Sequence, residues 1–188
     1  MIDSVKLPFR FDAGRLKADL AKITPEDWVP HFNKAYYEGD WSVVPLRSIG
    51  GSSKQIYPDP TRMNDFADTP ILDRCPYFRE VRQFFECPLQ AARLLRLAAG
   101  SRIREHTDLN LGYEDGQVRI HIPVVTNPDV EFFLDGSRIV MNEGESWYLN
   151  FNRPHRLFNG GNADRVHFVI DCTVNDWIRS KFAACAPE

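Results

Sequence analysis

The amino-acid sequence predicts a mainly β protein, in which a barrel or jelly roll is wrapped by helices at both ends. From Ala91 to Asp171, short runs of alternating or β-branched residues are separated by turn signals, which is typical of strands. Segments on either side of this region have helical spacing. The 13 prolines and 11 glycines are scattered without a repeat, which indicates many turns between short elements.

Length and composition indicate one compact unit. The chain has 188 residues, of which 43% are hydrophobic, and this is enough for one sizeable core but short for two. We predict a single domain with a helical and loop part over residues 1–90, a β core over residues 91–173 and a closing helix over residues 174–188. Four widely spaced cysteines without a C-x-x-C pair indicate free thiols.

Charge and hydropathy limit the kinds of partner that are expected. The formal net charge of -3 gives no overall positive field, so nucleic acid is not expected as a partner. No stretch approaches the ~20 apolar residues of a membrane span, so no membrane partner is expected and a cytoplasmic location is predicted.

Two segments of the first ninety residues predict helices. Thr24-Pro25-Glu26-Asp27 combines an N-cap, a proline at the first helical position and two acids near the positive end of a helix. Between residues 77 and 86, apolar side chains recur at helical spacing and form a stripe that can pack on a sheet. A helix is therefore expected to begin at Thr24 and another to cover residues 77–86.

Turn and cap signals divide the second half of the chain. Asp135-Gly136 predicts a two-residue hairpin turn, because it lies between strand-like segments at residues 130–134 and 138–141. A second turn is expected at residues 142–144, before a strand through Trp147. Asn175 is a suitable N-cap for a closing helix that includes Phe182.

His106-Thr107-Asp108 is the first candidate for a metal site. Side chains at i and i+2 of a strand project from the same face, so His106 and Asp108 can bind one ion. His155 is the natural third ligand from elsewhere in the chain. Two imidazoles and one carboxylate leave open positions, which suits an Fe(II) that binds a co-substrate and O2 together. Zinc fits the same ligands as a four-coordinate site with one water.

Further motifs surround the H-x-D fragment, which is a weak signal by itself. In chain order they are His106-Thr107-Asp108, Arg119-Ile120-His121-Ile122-Pro123, Gly144-Glu145-Ser146-Trp147-Tyr148, and Arg153-Pro154-His155 followed by Asn159 and Asp164-Arg165-Val166-His167. Through them the stretch from His106 to Asp171 resembles the aspartyl/asparaginyl β-hydroxylase family of Fe(II)- and 2-oxoglutarate-dependent oxygenases. Asp108 points to the bacterial branch, related to free proline hydroxylases, because the animal enzymes that name the family lack this carboxylate.

The resemblance implies a double-stranded β-helix core, which is jelly-roll or cupin-like, and a metal bound by His106, Asp108 and His155. It also implies that Arg165 binds the far carboxylate of 2-oxoglutarate. The chemistry of the residues agrees, because the co-substrate needs a permanent planar cation at that end and arginine pairs with a carboxylate through two hydrogen bonds. Arg165 and His167 share a face of their strand, so both are expected to face the barrel interior.

Four more residues receive roles from the resemblance. Arg119 and His121 match a polar pair near the co-substrate and the substrate, and they are assigned to the co-substrate. Arg93 and Arg96 have the same offsets before the metal histidine as in the proline hydroxylases. We therefore expect these two arginines to bind a substrate carboxylate, and a solvent-exposed position on the surface stays open as the alternative.

The implied activity is hydroxylation of an unactivated carbon, with Fe(II) as cofactor, 2-oxoglutarate and O2 as co-substrates, and succinate and CO2 as products. The expected substrate is a carboxylate-bearing small molecule, either a free amino acid or an amino-acid residue in a short peptide. Two other classes stay open. A cupin-like zinc enzyme would work with zinc and would not need Arg165, whereas a non-catalytic metal-binding sensor would bind its ligand without turnover.

Overall fold

The computed structural model describes residues 2–57, 59–62 and 64–185. Within these ranges the strands are β1 (Ser4–Arg10), β2 (Val29–Pro30), β3 (Tyr37–Glu38), β4 (Trp41–Ile49), β5 (Phe66–Asp68), β6 (Leu89–Leu97), β7 (Arg102–His106), β8 (Gln117–Val125), β9 (Val130–Leu134), β10 (Ser137–Arg138), β11 (Glu145–Leu149), β12 (His155–Asn159) and β13 (Arg165–Thr173). The α-helices are α1 (Ala13–Leu20), α2 (Pro76–Phe84) and α3 (Asp176–Ala183). No helix in the described ranges is long and apolar enough to cross a bilayer.

The strands form two antiparallel sheets that face each other. The larger sheet has the order β1-β11-β8-β13-β6-β4-β2, with β5 paired to β4. The smaller sheet has the order β10-β9-β12-β7-β3. Between them lies a hydrophobic core to which Leu97 and Leu149 of the larger sheet and Ile103 and Leu157 of the smaller sheet contribute. The predicted mainly β, cupin-like architecture with helices at both ends is confirmed.

The larger sheet separates two environments, because successive side chains of a strand point to opposite faces. On β13, Val166, Phe168 and Ile170 belong to a core that they share with side chains of α1, α2 and α3. Arg165 and Asp171, on the other face of β13, line a cavity between the sheets. The helices therefore cover one face of the larger sheet, and the opposite face lines the cavity.

The first ninety residues differ from the prediction of a helical and loop segment. In the structure β1 pairs with β11, and β4 pairs along β6, so both strands belong to the larger sheet. The strand β4 was not predicted from the sequence. Nearly all its side chains are buried, so the sequence lacks the alternation expected of a half-exposed strand. The signal at Thr24 begins only a 3-10 turn over Pro25–Asp27, since Val29–Pro30 already pairs with β4.

Several local predictions are confirmed. The helix α2 packs Phe78 and Val81 into the core beneath the larger sheet. Asp135 and Gly136 have φ values of 47° and 76° and join β9 to β10, although β10 is shorter than predicted. The Asn175 side chain caps α3 by accepting a hydrogen bond from the backbone N–H of Ile178 at 3.1 Å.

Gly144 is expected to be irreplaceable at the turn before β11. Its φ is 76°, and a Cβ there would collide with the backbone carbonyl oxygen of Phe11. Gly136 has the same φ of 76°, but nothing lies within 4 Å of an added Cβ. Gly136→Ala should therefore lower the free energy of unfolding by about 1 kcal/mol through backbone strain alone. Gly144→Ala should lower it by clearly more, and equal losses in denaturant unfolding would contradict the predicted clash.

Candidate active site

Strand pairing brings the three predicted metal ligands together. His106 ends β7 and His155 begins the neighbouring β12, and the two are register partners whose ring centroids lie 4.2 Å apart. Asp108 follows β7, and its backbone N–H donates to the carbonyl oxygen of Phe151 at 2.9 Å. One ligand atom from each of His106, Asp108 and His155 lies within 4.8 Å of the other two.

Both histidines are oriented by backbone carbonyl groups. The Nδ1 atom of His106 lies 2.8 Å from the oxygen of Arg104, and Nδ1 of His155 lies 3.0 Å from the oxygen of Arg153. Because a carbonyl oxygen only accepts, each Nδ1 carries the proton and each Nε2 keeps the lone pair that binds a metal. Burial lowers the pKa of His155 to about 4, so this imidazole is neutral at pH 7. The donor set fits Fe(II) with open positions, and it also fits zinc.

Four charged side chains form what we call the ion-pair chain: Arg93, Asp171, Arg119 and Asp108. Arg119 donates from Nη1 to Oδ2 of Asp108 at 2.7 Å. It also donates from Nε and Nη2 to the two oxygens of Asp171 at 2.7 and 3.0 Å. Arg93 donates from Nη2 to Oδ2 of Asp171 at 2.5 Å. The carboxylate of a candidate metal ligand is thereby connected to the buried face of the larger sheet.

Strand register explains why Asp171 joins this chain. The strand β13 lies between β8 and β6, and Asp171 is the register partner of Arg119 on β8. Burial raises the pKa of Asp171, but the charges and hydrogen bonds of Arg119 and Arg93 outweigh it and lower the pKa to about 2. Asp171 was not among the predicted site residues. Its parity with Arg165 on one strand was the signal that would have found it.

A second polar cluster lies deeper between the sheets and contains Arg165, His167 and His121. Arg165 donates from Nη2 to Nδ1 of His167 at 2.9 Å, and Nδ1 of His121 lies 3.3 Å from the same atom. Burial, followed by the charge of Arg165, lowers the pKa of both imidazoles well below the usual value, so both are neutral at pH 7. The cluster therefore carries a single positive charge.

No acidic side chain among the described residues pairs with Arg165. Its Nε and the Nε2 of His121 are buried without a hydrogen-bond partner in those residues. Burial lowers the pKa of Arg165 to about 9, the direction expected of a cation without a counter-charge. Because a buried unpaired charge is costly, the arrangement fits an anionic ligand such as a carboxylate.

One cavity of about 710 Å³ connects these features. Its walls include the three candidate metal ligands together with Arg93, Arg119, His121, Arg165 and Asp171. Arg96 does not join the site, because it lies on the opposite face of β6 from Arg93. There it donates from Nε to the Ser42 hydroxyl at 2.9 Å and packs on Trp28. Residues 93 and 96 differ by an odd number, and a regular strand directs such side chains to opposite faces.

Comparisons with known proteins agree with the fold and with the motifs. Residues 11–174 match the family described as aspartyl/asparaginyl β-hydroxylase. A curated relative, L-proline cis-3-hydroxylase 2 of Streptomyces sp., is 26% identical over 166 residues. That match covers 85% of this chain, but the chain spans only 56% of the relative's length.

Two solved structures share the fold at low sequence identity. A 2OG-Fe(II) oxygenase-family oxidoreductase from Burkholderia pseudomallei has a TM-score of 0.55 and 17% identity, with 92% of this chain and 88% of that chain covered. A prolyl-4-hydroxylase from Pseudomonas putida has a TM-score of 0.55 and 14% identity, with 92% of both chains covered. Since the family match extends over most of the sequence, this chain belongs to the aspartyl/asparaginyl β-hydroxylase family.

Proposed function

We propose that this protein is an Fe(II)- and 2-oxoglutarate-dependent dioxygenase that hydroxylates an unactivated carbon of a carboxylate-bearing small substrate. The substrate is a free amino acid or an amino-acid residue in a peptide. The observation that supports the proposal is the presence, in one cavity, of three candidate metal ligands and of a buried Arg165 without an acidic partner among the described residues. A single-domain organisation and a cytoplasmic location remain predictions from the sequence.

His106, Asp108 and His155 would hold the iron, and Arg165 would bind the far carboxylate of 2-oxoglutarate. Bound iron would supply the redox chemistry by which O2, 2-oxoglutarate and a C–H bond are converted into a C–OH group, succinate and CO2. The unpartnered Nε2 of His121 is available for a second hydrogen bond to the co-substrate. The neighbouring Phe151 ring stacks on His121 at 5.1 Å and limits its movement.

The arginines of the ion-pair chain take different roles in this proposal. Arg119 already makes three hydrogen bonds to carboxylates, which favours holding Asp108 in place over binding the co-substrate. Arg93 makes one hydrogen bond to Asp171 and lines the cavity. Its remaining N–H groups are suited to a substrate carboxylate, since a guanidinium has five donors.

Anaerobic reconstitution with Fe(II), followed by addition of O2 and 2-oxoglutarate, tests the proposed function. We expect succinate to form, and to form faster when a pool of amino acids and short peptides contains the substrate. The zinc-loaded protein is the matched control and should produce none. Conversion of a member of the pool by the zinc-loaded protein, without 2-oxoglutarate or O2, would favour the zinc enzyme. Ligand binding without turnover would favour the sensor, and the absence of succinate with Fe(II) would reject a dioxygenase.

A further inference from the structure

Exposed apolar side chains gather at the mouth of the active-site cavity. Among the described residues six large hydrophobic side chains are exposed, and four of them line this cavity. We call these four the apolar rim: Phe32 (57% exposed), Tyr36 (40%), Tyr57 (52%) and Leu109 (84%). Large contiguous apolar patches are uncommon on proteins without a partner, so the rim indicates a surface that contacts a ligand.

Ring stacking holds part of the rim in place. Phe32 stacks on His31 with centroids 4.7 Å apart, and His31 stacks on the buried Trp41 at 3.5 Å and an interplanar angle of 10°. Tyr57 meets Phe32 edge to face at 6.0 Å. A continuous layer of stacked rings thus extends from β4 of the larger sheet to the surface. These ring contacts hold this side of the cavity mouth in place before a ligand binds.

Tyr36 connects the rim to the candidate metal centre. Its ring stacks on the imidazole of His106 with centroids 4.8 Å apart and an interplanar angle of 24°. Tyr36 lies in a 3-10 helix over Lys34–Tyr36, where the Asn33 side chain accepts a hydrogen bond from the N–H of Ala35 at 3.2 Å. A group bound on the rim would therefore lie beside the metal ligands and not at a separate site.

The charge of the cavity changes along its depth. Burial lowers the pKa of His31 to about 4, so the wall behind the rim is neutral at pH 7. The cations that we assign to carboxylate binding are deeper, where Arg165 is buried and Arg93 is largely covered. Arg47 and Arg156 also line the cavity, but each already pairs with a carboxylate of the protein. A complementary ligand has a carboxylate at the inner end and an apolar group at the mouth.

Resting on the function proposed above, we propose that the apolar rim is a binding subsite for an aromatic or branched aliphatic group of the substrate. The substrate carboxylate then lies at Arg93 and the reacting carbon lies near the metal ligands. Free proline does not fill such a site, because its ring and its carboxylate are both used inside the cavity. The volume of about 710 Å³ is typical of pockets that enclose a drug-sized ligand.

Matched pairs of carboxylates test the subsite. The probes are N-acetyl and N-phenylacetyl derivatives of the same set of amino acids, titrated calorimetrically into the anaerobic protein loaded with Fe(II) and 2-oxoglutarate. For at least one amino acid the phenylacetyl member should bind more tightly, by on the order of tenfold. Phe32→Ala and Tyr57→Ala should bring this ratio close to one. Phe84→Ala, which removes an exposed ring that does not line the cavity, should leave the ratio unchanged.

The outcomes separate the subsite from the proposed function. A ratio near one for every pair in the unmodified protein, or a ratio unaffected by both rim variants, would overturn the subsite. A change of oligomeric state in the rim variants, detected by light scattering, would also overturn it, since a second copy would then cover the rim. O2 is then added to the same samples, and succinate formation is measured. Its absence rejects the proposed function, whereas its presence together with a ratio near one rejects only the subsite.

Discussion

Replacing Arg165 with methionine is expected to weaken 2-oxoglutarate binding by on the order of 100-fold and to stabilise the ligand-free protein. The first effect follows from the loss of a buried charge pair with the far carboxylate, since truncating such a pair costs about 2–5 kcal/mol. The second follows because methionine fills similar volume without a buried cation that lacks a counter-charge. His167 would lose its donor, but in the ligand-free protein His121 can adopt the tautomer with the proton on Nδ1, which lies 3.3 Å away, and replace it.

Calorimetric titration of the anaerobic metal-loaded protein measures the affinity, and thermal unfolding of the ligand-free protein measures the stability. Arg102→Met is the matched control, because Arg102 lies on β7 with an exposed side chain that faces Glu38 at 3.6 Å. The control should change neither quantity appreciably. Unchanged 2-oxoglutarate affinity in Arg165→Met would refute the assigned role. A lower unfolding temperature would refute the inference that Arg165 destabilises the ligand-free protein as a buried cation without a counter-charge.

Asp171→Asn is expected to weaken metal binding, although Asp171 is not a candidate ligand. Without its negative charge, Arg93 and Arg119 repel each other, and Arg119 is no longer oriented towards Asp108. Loss of a residue that positions a metal ligand typically reduces metal affinity by about 10–100-fold. Breaking the buried pair should also lower the free energy of unfolding by about 3–5 kcal/mol.

Measuring metal affinity distinguishes a role of Asp171 in positioning Asp108 from a general loss of stability. Glu145→Gln is the control, because Glu145 is also buried and accepts hydrogen bonds from Lys6 at 2.6 Å and Trp147 at 2.9 Å away from the cavity. The Glu145→Gln variant should reduce stability but leave the affinity for Co(II), which is used as the metal probe, unchanged. Arg119→Lys keeps the charge yet loses the planar fork, so it should weaken Co(II) binding with a milder loss of stability. Equal Co(II) affinities in all three variants and the unmodified protein would contradict the positioning role.

The pKa of Asp171 adds an acid-dependence to this prediction. The folded protein holds this pKa at about 2, below its ordinary value of 3.8, so the stabilisation is present above pH 3.8 and is lost as the pH falls towards 2. The unmodified protein should therefore lose more stability than Asp171→Asn across this interval. Denaturant unfolding at several pH values measures the difference, and parallel losses would contradict it.

Local patterns predicted the parts of the fold that depend on near neighbours. Alternation revealed strands such as β13, and turn chemistry placed the hairpin at Asp135 and Gly136. The pattern failed for β4, which is buried on both faces and has no regular alternation of polar and apolar residues, whereas the equally buried β13 keeps a polar face towards the cavity. The cap signal at Thr24 produced only a 3-10 turn, because pairing of the next residues with β4 prevented a longer helix.

The site was predictable where a residue type implies its chemistry. Two histidines, one carboxylate and one arginine were recognisable as candidate ligands for a metal and an anion, and the structure brings them to one cavity. The assignment of Arg96 beside Arg93 came from the resemblance, and strand parity separates the two side chains. Arg119 was recognised as functional, but its pairing with Asp108 and Asp171 was not predicted.

The sequence by itself determined most strands of the second half of the chain and the candidate side chains for binding metal and co-substrate, because both depend on residue type and short spacings. Only the tertiary structure decided which of these side chains are neighbours. Asp171 contacts Arg93 and Arg119 because β13 lies between β6 and β8, an order that joins residues distant in the chain. The apolar rim likewise exists only because the chain around residues 31–57 folds over the cavity mouth, where its aromatic rings stack on one another and on His106.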